Sequence, residues 1–144
     1  IQNEVTMASK GTTTIEMDMY AALEELMGRT IKGTFYPSEL RPIEAKTEDA
    51  VLTCSNATAG QIQEGRARLN IYVPDINNGG ASLVPDKARL MELEAIDEQV
   101  LQTLNDSCTA YIFDKFQATA TIAVPERNEH FVNIGIHFRL ATFS

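Results

Sequence analysis

Cysteine is scarce in this sequence, with only Cys54 and Cys108 present. Lacking a short C-x-x-C spacing, they suit neither a zinc site nor a disulfide-dense secreted scaffold. Ordinary, partly buried thiols are expected, with a single disulfide as the alternative. Histidine is equally scarce. His130 and His137 lie an odd number of residues apart, so a regular strand would turn them to opposite faces, away from a shared metal. Positive charge is also short: 12 Lys and Arg against 20 Asp and Glu give a formal charge of −8 and a pI of about 4.7. Uniform acidity opposes contact with phosphates, so no direct, sequence-specific nucleic-acid partner is expected. Arg66, Arg68 and Arg139 are the candidates for a local basic spot. No apolar run reaches the length of a membrane span, and the opening "IQNEVTMASKGTTT" has no hydrophobic signal core. A soluble chain without a membrane partner is the expectation. Internal repeats and low-complexity tracts are missing as well.

Catalytic signatures are absent too. No Ser, His and acid arrangement emerges, and neither cysteine sits in a nucleophile motif. "NNGGAS" lacks the G-x-x-x-x-G-K-[ST] spacing of a phosphate-cradling loop, and a plain turn accounts for it. Carboxylates abound, and Glu24 with Glu25, or Glu126 with Glu129, are close in sequence. A working acid–base pair needs two carboxyls facing across a cleft, one of them buried, and adjacency alone does not supply that. The expectation is a protein that is not an enzyme, with no cofactor and no metal.

What the sequence does hold is clear periodicity. "TTTIEMDMYAALEELMG" begins with Thr13 and Glu16 at capping-box spacing, carries Ile15, Met19, Leu23, Leu26 and Met27 on one face, and stops at Gly28. "RTIKGTFYP" suits a short edge strand ended by Pro37, and "SELRPIEAKTEDA" an irregular, polar stretch. "AVLTCSNA" reads as a strand, with Gly60 and Gly65 bracketing the connection that follows. In "RARLNIYV", Ala67, Leu69, Ile71 and Val73 share one face, with Arg66, Arg68, Asn70 and Tyr72 on the other. "DINNGGASLVP" is a loop, and residues 86–106 form a helix capped by Asp86 with a stripe through Leu90, Leu93, Ile96, Val100 and Leu104. After "AYIFDKF", the runs "ATATIAVP" and "NEHFVNIGIHFRLATF" are joined by "ERNE", a hairpin-sized link. The last run alternates strictly, Val132, Ile134, Ile136, Phe138 and Leu140 against Asn133, Gly135, His137 and Arg139. It would extend about 40 Å, twice the common strand. The fold class is therefore α+β: a mainly antiparallel sheet, two helices packed on one face, and a long C-terminal β-hairpin. Residues 1–13 are expected to form a flexible arm and 14–144 a single domain.

One resemblance runs through most of this pattern, about residues 16–143. The helix "MYAALEELMG", the "GTFYPSELRP" segment, the strand "RARLNIYVPD" with its loop, the helix "ARLMELEAIDEQVLQTLN" and the one-sided strand "EHFVNIGIHFRL" follow one another in a familiar order. In that order the chain resembles the small tail-terminator or tail-completion proteins of long-tailed bacteriophages and prophages. The resemblance implies an α+β protomer that forms a homo-oligomeric ring, commonly hexameric, at the head-proximal end of the tail tube. Such a ring stops tube growth and contacts the head connector, first in the bacterial cytoplasm and then in the virion tail. It also implies that function resides in interfaces. Ring contacts are expected at Arg66, Arg68 and Tyr72 and at Asn133, His137 and Arg139. Asn78 and Gly79 in the Gly-rich loop are a candidate surface for a neighbouring ring. The alternative is a small bacterial α+β module that binds a ligand or protein without catalysis. A hydrolase with an acidic cleft is the third option.

Overall fold

The computed structural model describes residues 9–141. The chain runs α1 (Thr12–Thr30), β1 (Phe35–Pro37), β2 (Asp49–Ala57), β3 (Ile62–Pro74), α2 (Lys87–Glu94), α3 (Asp97–Ser107), β4 (Tyr111–Lys115), β5 (Ala120–Val124) and β6 (Glu129–Ala141). One sheet has the order β1-β2-β3-β6-β4, and β5 follows β4 along the same side of β6. Every pairing is antiparallel except β1 with β2. This is the expected α+β architecture with its C-terminal hairpin. The length of β6 now has a cause: β3 pairs along one side over its whole run, while β4 and β5 share the other side end to end.

The core lies between one face of the sheet and the helices. Val132, Ile134, Ile136, Phe138 and Leu140 of β6 and Ala67, Leu69, Ile71 and Val73 of β3 all point into it, as their alternation predicts. From above, Ile15, Met19, Leu23, Leu26 and Met27 of α1 meet Leu90, Leu93, Val100 and Leu104 of the later helices in one continuous cluster. Asp86 caps α2 through the Arg89 amide at 3.2 Å, as expected.

Several boundaries differ from the sequence expectation, each for a tertiary reason. The capping box does not form. Gly11 is the N-cap of α1, Thr13 is already helical, and Glu16 turns inward. Its carboxylate accepts from the Cys54 amide at 3.0 Å and from the Ser38 amide and hydroxyl at 3.3 and 3.0 Å. Beyond Pro37, β1 no longer flanks β2, and a buried strand amide costs more to leave unpaired than a helix-end amide in water. Gly28 does not end α1 either; the helix continues to Thr30, whose hydroxyl donates to the Leu26 carbonyl at 2.6 Å. The helix expected over 86–106 is two helices, broken at Ala95–Ile96. α2 packs over β3, β5 and β6, whereas α3 packs on α1 and β4, so the apolar stripe serves two different grounds. Asp97 and Glu98 open α3, where carboxylates suit its positive end. Gly65 belongs to β3 rather than to a connection, opposite Ala57 and Phe138. A Cβ there would lie 2.0 Å from the Asn56 carbonyl oxygen and 2.6 Å from the Phe138 ring. Of the arm expected over 1–13, residues 1–8 lie outside the described residues. Lys10 is tied to the Gln63 side chain through both its amide and its carbonyl, and Thr12 starts α1. Cys54 and Cys108 are free thiols, not a disulfide.

Candidate functional site

All three helices lie on one side of the sheet, which leaves the other face of β2, β3 and β6 to loops and solvent. The odd-numbered residues of β6 point to that face with the even-numbered residues of β3, so Arg66, Arg68, Tyr72, Asn133, His137 and Arg139 are brought to one surface. Asn78 and Gly79 are not among them. They sit at the tip of the loop pinched by the Ile76–Val84 bridge, past Pro74, where β3 ends roughly 25 Å from Arg66 at strand rise. There the side chains of Asn77 and Asn78 accept from the amides of Gly79 and Gly80, and Gly79 adopts a φ of +94°, open to glycine.

Asn133 requires a correction. It was expected on the wet face, yet it is only 4% exposed. Its amide donates to the Asn70 side chain at 2.7 Å and its side-chain oxygen accepts from Gln117 at 2.9 Å. The segment linking β4 to β5 crosses the sheet here. Phe116 packs against Gly135, where a Cβ would come 2.7 Å from the ring. The guanidinium carbons of Arg66 and Arg68 sit 4.6 and 5.2 Å from the centre of the same ring. Phe116 and Gln117 are thus part of the face although sequence reasoning missed them. The signal was Gly135 itself, since a glycine inside a strand often marks a close approach.

The arginines fall into two sets. Arg41, Arg89 and Arg127 are committed to structure. Arg41 binds Asp49 at 3.0 Å and Glu129 at 3.2 Å, lies 4.2 Å from the centre of the Tyr72 ring, and donates to the Ala45 and Thr47 carbonyls. Arg127 joins Glu129 and the Ile43 and Ala45 carbonyls, so the two arginines pin the segment between β1 and β2 against the sheet. Arg89 grips Glu48 with two nitrogens at 2.8 and 2.7 Å and reaches the Thr30 carbonyl, which locks α2 to the end of α1. Burial alone would raise the Asp49 carboxyl, but the Thr34 amide, the Thr47 hydroxyl and Arg41 outweigh it and hold it below the ordinary range. Glu48 is lowered in the same way, burial being overcome by Arg89 and the Lys32 amide. Arg66, Arg68 and Arg139, by contrast, have no carboxylate partner among the described residues. The acids nearest them in the sheet lie instead against His137, whose Nδ1 is 2.9 Å from Asp114 and Nε2 3.2 Å from Glu64.

That His137 trio cannot converge on a metal, because its two carboxylates lie on opposite sides of the imidazole. No group of three metal-ligating side chains is placed to hold an ion among the described residues. The histidines do face opposite ways, with His130 on the core side at 2.7 Å from Asp75. The buried carboxylates Glu16, Glu48, Asp49 and Glu129 are each bound to amides, a hydroxyl or a guanidinium, as described above. Elsewhere, a groove of about 680 Å³ runs between α1 and residues 107–111. In it the Tyr111 hydroxyl donates to Asp18 at 2.6 Å beside Lys10 at 2.7 Å. Burial, reinforced by Asp18, raises the Tyr111 hydroxyl, and burial with the Asp18 charge also raises the Cys108 thiol. No described helix is long and apolar enough to cross a membrane.

Beside these arginines stand Ile112, exposed opposite Arg139, and Phe116. The other end of the same face is also apolar: six residues along β3 from Arg66, Tyr72 meets Phe131 at 5.1 Å between ring centres, Ile122 is exposed opposite Phe131, and Ile43 on the pinned segment is 83% exposed. Exposed aliphatics, rings and unpaired guanidiniums on a rigid sheet are the materials of a protein interface. Comparison with known proteins adds little. No family model matches the chain, and no curated protein does. Among solved structures, one chain whose name describes no function aligns with 94% of this chain and 99% of its own length, at 15% identity and a TM-score of 0.46. A likeness of that order carries no argument.

Proposed function

We propose that this chain is a structural assembly protein of a phage tail, whose copies close into a ring that ends the tail tube and meets the head connector. The observation that carries this reading is the open sheet face. At one end of it Arg66, Arg68 and Arg139 stand without a carboxylate partner among the described residues, beside Ile112 and Phe116, and at the other end Tyr72, Phe131 and Ile122 are grouped. A self-contained monomer has no need of such a surface, whereas a ring subunit needs at least two interfaces. The order of elements from Tyr20 onward, which resembles the tail-terminator proteins, gives the assembly its identity. Its partners are copies of itself, tail-tube proteins and head-connector proteins, and it works in the bacterial cytoplasm during assembly and then in the virion tail. The reading requires no catalytic step and no cofactor. A second reading, a small binding module, draws on the groove beside α1 with its Lys10, Asp18 and Tyr111 cluster. Light scattering across a hundredfold range of concentration, followed by negative-stain imaging, separates the two. Closed rings of uniform diameter support the assembly reading, and a strict monomer of 15.9 kDa at every concentration overturns it.

A further inference from the structure

Building on the assembly reading, we infer that neighbouring copies meet head to tail, the arginine-bearing sheet face of one against the acidic helix layer of the next. The two sides of the protomer carry opposite charge. On the sheet face, Arg66 and Arg139 are exposed and Arg68 partly so, and these three guanidiniums outnumber the two carboxylates beside them, Asp114 and Glu64, which lie against His137. On the opposite side, Glu24 and Glu25 of α1 and Glu98 and Asp106 of α3 are exposed. These two helices pack on each other, so their acids form one surface. Two cations border it: Lys115, held by Asp97 at 2.7 Å and 3.9 Å from Glu98, and the exposed Arg29 at the end of α1, so the acids remain in excess.

This polarity chooses among the ways two identical copies can meet. A two-fold pairing through the sheet face would set arginines against arginines, and one through the helices would set acids against acids. Like charges across an interface cost several kcal/mol. A heterologous contact joins unlike faces, and repetition of it builds rings or filaments instead of stopping at a dimer. A second copy also fits the face better than nucleic acid does. The chain as a whole is strongly acidic at −8, and Ile112 and Phe116 among the arginines match a protein surface.

The test uses two charge-reversed proteins. One carries R66E, R68E and R139E on the sheet face; the other carries E24K, E25K and E98K on the helices. Folding of each is checked by circular dichroism, and R66Q/R139Q, which leaves Arg68 on Phe116, replaces the first if it unfolds. The wild-type assembly should loosen at least about tenfold between 50 and 500 mM NaCl as screening sets in. Each variant alone should run at the protomer mass of 15.9 kDa, and mixing the two reversed proteins should restore an oligomer with both in equal number. The helix variant is the stronger arm, because its residues touch nothing in the sheet face. Wild-type oligomers that persist in both variants, or that ignore salt, overturn the head-to-tail contact and leave the assembly reading standing. A wild type that is monomeric throughout overturns both.

Discussion

Replacing Arg41 with alanine should be among the most damaging single changes in the molecule. Its guanidinium is 9% exposed and lies between Asp49, 1% exposed, and Glu129, 3% exposed. Asp49 keeps the Thr34 amide and Thr47 hydroxyl, and Glu129 keeps Arg127, but both lose their most buried counter-charge. Removing one partner of a buried ion pair typically costs about 3–5 kcal/mol, because the other charge stays behind in a dry setting. At roughly 2.1 cal/mol/K of unfolding entropy per residue, a 144-residue chain should lose about 10–16 °C in Tm. The pH dependence carries the sharper signature. Asp49 is held below its ordinary range, so its stabilising contribution is complete above the range of a free aspartate and fades as pH falls through the lowered value. Without Arg41, burial acts on Asp49 with less to oppose it, and protonation costs the variant less than it costs the wild type. The stability gap should therefore be widest near pH 7 and should narrow as pH falls through the range of a free aspartate toward the lowered value. Urea denaturation of both proteins at a fixed low concentration, at several pH values, measures it. A gap below about 1 kcal/mol at pH 7, or one that does not change with pH, would refute the reasoning.

Two glycines should respond differently to alanine. Gly65→Ala sets a methyl against the Asn56 carbonyl oxygen, which is backbone and cannot step aside, so a loss of several kcal/mol or failure to fold is expected in a melt. Gly135→Ala meets only the Phe116 ring and the Gln117 side chain, and should cost less while releasing Phe116, which NMR of its ring protons reports. Both thiols should react slowly with a disulfide reagent at pH 8 in the folded protein and fast in urea, since burial pushes Cys54 up to about 11 and raises Cys108 too. Asn105→Ala should expose the edge of β4, because the Asn105 side chain exchanges hydrogen bonds with both the Phe113 amide and carbonyl at 2.9 and 3.0 Å. Faster hydrogen exchange at Phe113 with increased aggregation is the expected result.

How much of this was legible in the sequence follows from how local each cause is. The faces of β3 and β6 were readable because side-chain alternation is a property of the strand itself, and the stripe of α1 for the same reason. Asp86 as a cap and "ERNE" as a hairpin link needed only near neighbours. What escaped depends on partners far along the chain. Glu16 looks like half of a capping box until Cys54, 38 residues away, needs its carboxylate. Asn133 alternates onto the outer face correctly, yet it is buried because Gln117 crosses over it. Of the candidate interface, the arginines were found by parity, but that no described carboxylate pairs with them depends on the folded arrangement, in which Asp114 and Glu64 lie against His137.

The central place of β6 has a consequence for how the chain acquires its form. β2 and β3 can pair as soon as both exist, since they are neighbours in the sheet and close in sequence. Among the described residues β4 and β5 have no strand partner but β6, and β3 needs it on its second side. β6 follows the other described strands in chain order, so during synthesis three strands wait for it with unsatisfied edges. Pairings between β3 and β6 span more than 50 residues, and contacts of such separation close slowly. Folding should therefore finish in a late, concerted step that follows the emergence of β6 from the ribosome. A chain cut short before Glu129 would keep its helices and the β2–β3 pair without ever closing its sheet.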